Sequence, residues 1–413
     1  MSKHAILALD IGSSAIKALV VRSEDDGKIG ILSAITRPSK GIRRGVIIDM
    51  DAASSEIKSM FELVKEASKH AIKSIYVNIG GVDIKSQISK GIVAISRVSG
   101  EIRRDDIERV LEASQAVNLP VNRMIIHAIN REFIVDGVSV QNPLGMSGTR
   151  LEVSSYLIDA FKPNVKNVMR CIELAHGTIS ALIFNPLSSA LSVLTKNQKE
   201  LGVLLVDIGY GTTGIAVYEE GKLLHTKILP VGAGHITNDL AIALKIPVDI
   251  AEKIKISYGY AIASDVSAKE TVDLKKIEES LRNSPSRKYI SQVVESRLSE
   301  ICSLVKDELD AIHKSAKLPG GVVITGGGAK LPGLADLFRS ELKLTAKIGL
   351  PRASAFEFGE IENQDILDSP EYASALGLAM WGISESGSDY KFKEGNVKNA
   401  VSEVLNYLKN FLP

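Results

Sequence analysis

The sequence predicts an α/β fold of two related lobes that face each other across a cleft. Three observations lead there. A hairpin-forming segment occurs twice, roughly half a chain apart; strand-like and helix-like runs alternate through both halves; and a strand running into a triple glycine lies late in the chain.

The two hairpin segments are Ile6 to Val21 and Leu204 to Tyr218. Each is an apolar strand ending in Asp-Ile-Gly, a turn of small hydroxyl residues, and a returning apolar strand. Between them, Asp49 or Asp51 can cap a helix through about His70 with Ile57, Met60, Phe61 and Val64 on one face. Ser74 to Gly80 reads as a strand. Loose alternation over Ile84–Ile95, helical spacing over Asp105–Val117, and strand-like runs at Arg123–Asn130, Glu132–Val138 and Leu151–Asp159 form a small αβ insertion. A helix after Pro163 and a strand at Thr178–Phe184 return the chain to the first sheet. In the second half Asn238–Leu244, Ile250–Tyr258 and Tyr289–Asp310 read as helices, and the sheet resumes at Gly321–Thr325. The expected divisions are 1–83 with 160–198 for the first lobe, 84–159 for the insertion, and 199–232 with 303–383 for the second lobe. A helical subdomain at 233–302, a linker at 384–396 and a terminal helix at 397–413 complete the chain.

Composition narrows the function. Apolar residues make up 45% of the 413, enough for a substantial core. Fifty Lys and Arg against 49 Asp and Glu give a net charge of +1, so no basic field argues for nucleic-acid binding. The two cysteines, Cys171 and Cys302, fit a reducing compartment. The apolar run before Asp10 is too short for a signal peptide or a bilayer span, so a soluble, cytosolic protein is expected.

The hairpin turns suit phosphate oxygens. Glycines let backbone N–H groups approach, and hydroxyls add donors. These residues are Gly12, Ser13 and Ser14 in the first turn and Gly209, Gly211, Thr212 and Thr213 in the second. Asp10 and Asp207, where each strand meets its turn, can hold Mg²⁺ through its water shell. One such turn alone is readily an ordinary tight hairpin; two matching copies favour the phosphate reading. Gly326, Gly327 and Gly328, followed by Lys330, place bare backbone at a strand–helix junction, where a nucleoside can lie.

These three elements, in this order, resemble the actin-like ATPase superfamily, with its duplicated ribonuclease-H-like fold. The sequence is most similar to the FtsA family of bacterial division proteins, over nearly its whole length. The signature of the resemblance is Asn142-Pro-Leu-Gly-Met-Ser-Gly-Thr-Arg-Leu-Glu-Val153 in the insertion, with Val231–Leu240 and Ala251–Lys255 similarly family-like. The resemblance implies ATP with Mg²⁺ as ligand, Gly234 and Asn238 near the nucleotide, and Glu252 and Lys255 flanking adenosine and ribose. Lys17 either approaches the phosphates or is a surface lysine. Asn185 stands where the superfamily often has a water-positioning glutamine, so at most slow hydrolysis is expected. The resemblance also implies head-to-tail self-assembly, capture of the C-terminal tail of FtsZ with Arg297 meeting its carboxylate, and recruitment of other division proteins at the cytoplasmic face of the membrane. A solvated helix charge is the alternative for Arg297.

The terminal segment is an independent signal. Val397, Ala400, Val401, Val404, Leu405, Leu408, Phe411 and Leu412 recur at spacings of three and four, opposite a polar face. After a polar linker such a helix can lie in a membrane interface, with Lys398 and Lys409 favouring anionic lipid. The alternative is a helix docked on the domain or on a partner. A pilus-assembly relative or a small-molecule kinase of the same fold are the competing functions; the first would lack the terminal helix and the second would need a carboxylate base.

Overall fold

A computed structural model describes residues 5–279, 281, 284–358 and 364–386. The expected membrane helix, with Val397, Val401, Val404, Leu405, Leu408, Phe411 and Leu412, lies outside the described residues, as does the linker from residue 387 onward. No described helix is long and apolar enough to cross a membrane.

The first lobe opens with β1 (Ile6–Ile11), β2 (Ala15–Ser23) and β3 (Ile29–Pro38), then a short hairpin, β4 (Ile42–Arg43) and β5 (Val46–Ile47). Helix α1 (Met50–Ala67) follows, with Asp49 as its N-cap accepting from the Ala52 amide at 3.0 Å and Ile57, Met60, Phe61 and Val64 fully buried. Strand β6 (Ile75–Ile79) then pairs with β1 in parallel. The insertion holds β7 (Lys85–Ala94), α2 (Arg104–Gln115), β8 (Arg123–Val135), β9 (Val138–Val140) and β10 (Arg150–Phe161), in the sheet order β7-β10-β8-β9. The two strand-like runs expected at Arg123–Asn130 and Glu132–Val138 are in the main one strand, β8. A β-bulge at Arg131, where the pairing with Ser154 and Ser155 slips, breaks the alternation that a continuous strand would show.

After the insertion come α3 (Lys162–Leu174), β11 (Ile179–Phe184), α4 (Asn185–Val193) and α5 (Lys196–Leu201). The second lobe contains β12 (Val203–Ile208), β13 (Thr213–Glu219), β14 (Lys222–Leu229), α6 (Ala233–Leu244), α7 (Val248–Tyr258), α8 (Arg287–Ala311), β15 (Val322–Thr325), α9 (Leu334–Leu342) and β16 (Ala346–Ile348). Its strand order, β14-β13-β12-β15-β16, repeats β3-β2-β1-β6-β11 of the first lobe, antiparallel and parallel pairings included. The duplication read from two hairpins therefore extends to whole sheets.

The chain then crosses back. Strand β17 (Phe356–Phe358) pairs in parallel with β3, and α10 (Ala373–Ser386) packs on β1, β2 and α4. Within 303–383, expected in the second lobe, β17 and α10 thus pack on the first, while Pro370 and Glu371 between them bond to Thr325, Gly326 and Lys330 of the second. Ile366, Leu367, Tyr372, Leu376 and Trp381 bury their apolar surface in the core of the first lobe. Helix α10 also continues through Ser386, so the first residues of the expected linker are helical. Helices α4 and α10 cross closely because both are rich in small residues: a Cβ on Gly377 would stand 1.8 Å from the Ser188 carbonyl oxygen.

Candidate functional site

The two hairpin turns close in the same way. The Gly12 amide donates to the Ala15 carbonyl at 3.1 Å, and the Gly209 amide donates to the Thr212 carbonyl at 2.9 Å. A Cβ on Gly211 would lie 3.3 Å from Ser13 Oγ, so the second turn sits against the first. Ser13 accepts from the Gly45 amide at 3.1 Å, Ser14 is exposed and Thr212 half-buried. Thr213 differs from expectation. As the first residue of β13 it points away from the turn, fully buried, with its hydroxyl donating to the Val231 carbonyl at 2.8 Å. Its role is to hold the β14–α6 loop.

Asp10 and Asp207 are the penultimate residues of β1 and β12, and both are buried. Asn78 on β6 fixes Asp10: it accepts from the Ile11 amide at 2.7 Å, and its amide nitrogen donates to Asp10 at 2.7 Å and to Asn185 at 2.8 Å. Ser189 on α4 donates to Asp207 at 2.6 Å. Burial raises the Asp10 carboxyl above its ordinary range, opposed by Lys17, whose ammonium lies 3.7 Å away and 5.6 Å from the centre of the Tyr372 ring. Burial likewise pushes Asp207 up to about 6 against the Ser189 hydroxyl, and the Asp10 charge adds to the shift. Two buried carboxylates that repel each other and offer only oxygen donors fit a hard divalent cation such as Mg²⁺, held largely through water.

Asn185 begins α4. Its carbonyl oxygen accepts from both Asn78 and Ser374, the latter at 2.9 Å, so both lone pairs are taken. The side chain retains only N–H donors, and a donor to water does not raise that water's nucleophilicity.

The other wall is α6, longer at its start than the helix expected from Asn238. Its first amides have no side-chain cap to advertise it; Ala233 and Gly234 donate instead to the carbonyls of Gly209 and Tyr210, at 2.9 and 2.7 Å. Gly234 has no room for a side chain, since a Cβ would meet the Tyr210 ring at 2.6 Å. Asn238 is exposed on the same helix. Lys255 is buried, its ammonium donating to Glu252 at 2.7 Å and Thr237 at 2.9 Å, and Thr237 donates to Glu252 in turn. Burial pulls the Lys255 pKa down while Glu252 holds it up.

Of the triple glycine, Gly326 has φ +83° and would drive a Cβ into Asp207, and Gly328 would drive one into Ile208. Gly327 alone faces open space. Gly327→Ala is therefore expected to leave stability within about 0.5 kcal/mol of wild type. If a nucleoside lies there, the methyl group should weaken its binding about tenfold. Chemical denaturation and calorimetry read the two effects separately. Lys330 is half-exposed and paired with Glu371 at 2.7 Å.

Arg297 lies apart, on α8. Two of its N–H groups chelate Asp239 at 2.7 and 2.9 Å and a third reaches Glu300; the guanidinium has five in all. A cavity of about 350 Å³ opens beside it, lined also by Gln292, Val293 and Ser296.

The duplicated sheets and the carboxylates facing each other between glycine-rich turns define an actin-like ATPase fold. A solved structure titled PilM-PilN type IV pilus biogenesis complex superposes with TM-score 0.67 at 20% identity, covering 92% of this chain and 98% of that one. MreB5 of Spiroplasma citri bound to ADP superposes with TM-score 0.53 at 15% identity, covering 92% and 96%. The family model described as cell division protein FtsA matches residues 204–377, and that for the SHS2 domain inserted in FtsA matches 81–158. The chain is 35% identical over 403 residues to cell division protein FtsA of Pseudomonas aeruginosa (95% of each chain), and 36% identical over 383 residues to that of Borreliella burgdorferi (92% and 91%). It is 30% identical over 418 residues to that of Escherichia coli K12 (99% and 98%). The chain belongs to the FtsA family of cell division proteins.

Proposed function

We propose that this chain binds Mg-ATP between its lobes, polymerises on the cytoplasmic face of the membrane at the division site, and tethers FtsZ filaments there by their C-terminal tails. The observation that carries the nucleotide reading is the pair of buried, mutually repelling carboxylates Asp10 and Asp207 at matching positions of two related hairpins. Bound Mg²⁺ would add positive charge to two carboxylates that have one lysine, Lys17, beside them. Gly12, Ser13, Gly209, Gly211 and Thr212 would hold the phosphates, and Gly327, Glu252 and Lys255 would hold the nucleoside.

The occupied lone pairs of Asn185 support a switch rather than a fast enzyme, because positioning of the nucleophile is most of phosphoryl-transfer catalysis. Arg297 retains two N–H groups for a partner's carboxylate while Asp239 and Glu300 orient its fork. The apolar stripe of Val397–Leu412 supports membrane attachment, and avidity within a filament would strengthen a weak anchor.

Vesicles of anionic lipid, mixed with this protein, ATP and FtsZ, test the reading in one sedimentation assay. Wild type should carry FtsZ into the vesicle pellet. Deletion of 397–413 should leave both proteins in the supernatant, and Arg297→Ala should pellet alone. FtsZ pelleting equally with all three would refute the tethering role.

A further inference from the structure

The β4–β5 hairpin was singled out by no motif, yet its tip reaches into the cleft. Arg44 and Gly45 form its two-residue turn, with φ +49° and +73°. Such turns favour Asn-Gly or Gly-Gly because both positions need positive φ, and an arginine at the first is strained. The tip lies against both phosphate-type turns. The Gly45 amide donates to Ser13 Oγ at 3.1 Å, and a Cβ on Gly211 would lie 3.1 Å from Arg44 Cα. The Arg44 guanidinium then crosses to the second lobe and donates to His235 Nε2 at 3.2 Å.

That partner is weak for an arginine. Among the described residues neither Arg43 nor Arg44 forms an ion pair with a carboxylate, and both line a cavity of about 160 Å³ with Ser13, Gly211 and Asn238. An arginine N–H and a backbone N–H can only donate, and His235 meets one at each ring nitrogen, Arg44 at Nε2 and the Gly232 amide 3.1 Å from Nδ1, so a neutral ring with one lone pair can accept from only one of them. The cavity is smaller than an ordinary ligand pocket. A nucleotide entering between the turns therefore meets the hairpin tip directly. A phosphate oxygen is a far better acceptor for a guanidinium than a neutral imidazole is.

We propose that Arg44 is a phosphate-binding residue that distinguishes a nucleoside triphosphate from a diphosphate, exchanging its bond across the cleft to His235 for one to the terminal phosphate. The inference rests on the nucleotide reading above and adds a sensor to it. Loss of the His235 bond on triphosphate binding would convey occupancy to the start of α6.

Arg44→Gly is the suitable variant, since glycine adopts φ +49° without strain and the hairpin should persist. Calorimetric titration of Mg-ATP and Mg-ADP into wild type and variant gives the test, with the melting temperature of each free protein beside it. The expected result is a loss of about tenfold or more in ATP affinity, ADP affinity within twofold of wild type, and an unchanged or higher melting temperature. Arg44→Lys, which keeps the charge and loses the fork, should fall between. An unchanged ATP-to-ADP preference in Arg44→Gly, whether both affinities hold or both drop together, overturns the role assigned to Arg44. Wild-type protein that binds neither nucleotide overturns the parent reading instead.

Discussion

Gly377→Ala should destabilise the protein by about 3 kcal/mol or more, one of the largest effects of any single methyl group in this chain. Gly377 lies on α10, where a Cβ would stand 1.8 Å from the Ser188 carbonyl oxygen, 2.4 Å from its carbonyl carbon and 3.0 Å from its Cα. All three atoms are backbone of α4, so no side chain can rotate aside, and the two helices must separate. Separation would loosen Leu376, Ala379 and Trp381 from the first-lobe core and break the Ser192 to Ala373 hydrogen bond of 2.6 Å. It would also move Ser374 away from Asn185, and with it the network that fixes Asp10. Urea denaturation should therefore show a lowered midpoint, and calorimetry a weakened nucleotide affinity at temperatures where the variant is still folded. Gly327→Ala is the contrasting case, because its methyl group meets open space. If the two substitutions cost the same stability, the close crossing of α4 and α10 is not the constraint described here.

That crossing also marks the limit of what the sequence made legible. Local patterns are legible: the two Asp-Ile-Gly hairpins, the α1 stripe with its Asp49 cap, and the strand before the triple glycine all stand where residue spacing puts them. What escaped was non-local or disguised. Asn78, Ser189 and Ser374 hold the two carboxylates, yet each interrupts an apolar or small-residue run and resembles a tolerated polar substitution until its partner is seen. Thr213 and Thr212 are the same residue type; the period of two in a strand sends the first inward, away from the turn. The return of β17 and α10 to the first lobe has no local periodicity at all. Arg44 carries no local signal, because Arg-Arg-Gly reads as an exposed turn and only the fold brings that turn against the second lobe.

Acid should destabilise the protein through one residue, His127, by about 3 kcal/mol between pH 7 and pH 4. His127 lies on β8 at the base of the insertion, 3% exposed, with its ring tilted against Trp381 at 5.7 Å between centroids. Burial alone holds its pKa down at about 4, against an ordinary value of 6.5. The unfolded chain therefore binds a proton below pH 6.5 that the folded chain refuses until about pH 4. Stability falls across that window by about 1.4 kcal/mol per pH unit and the loss is complete once the folded form also titrates. The geometry explains the refusal. Nε2 accepts from the Phe184 amide at 2.9 Å, and a protonated ring would set two donors against each other. His127→Gln keeps an acceptor for that amide and removes the titration. Denaturation of both proteins at a series of pH values should show wild type losing about 3 kcal/mol relative to the variant between pH 7 and pH 4. The raised Asp10 and Asp207 carboxyls act in the opposite direction equally in both; equal slopes would remove His127 from the acid response. Phe184 leads directly into Asn185, so the same protonation would disturb the end of β11 that anchors the Asn78–Asp10 network. Nucleotide affinity in wild type should then fall more steeply below pH 5 than in His127→Gln, linking the insertion to the cleft through one buried ring.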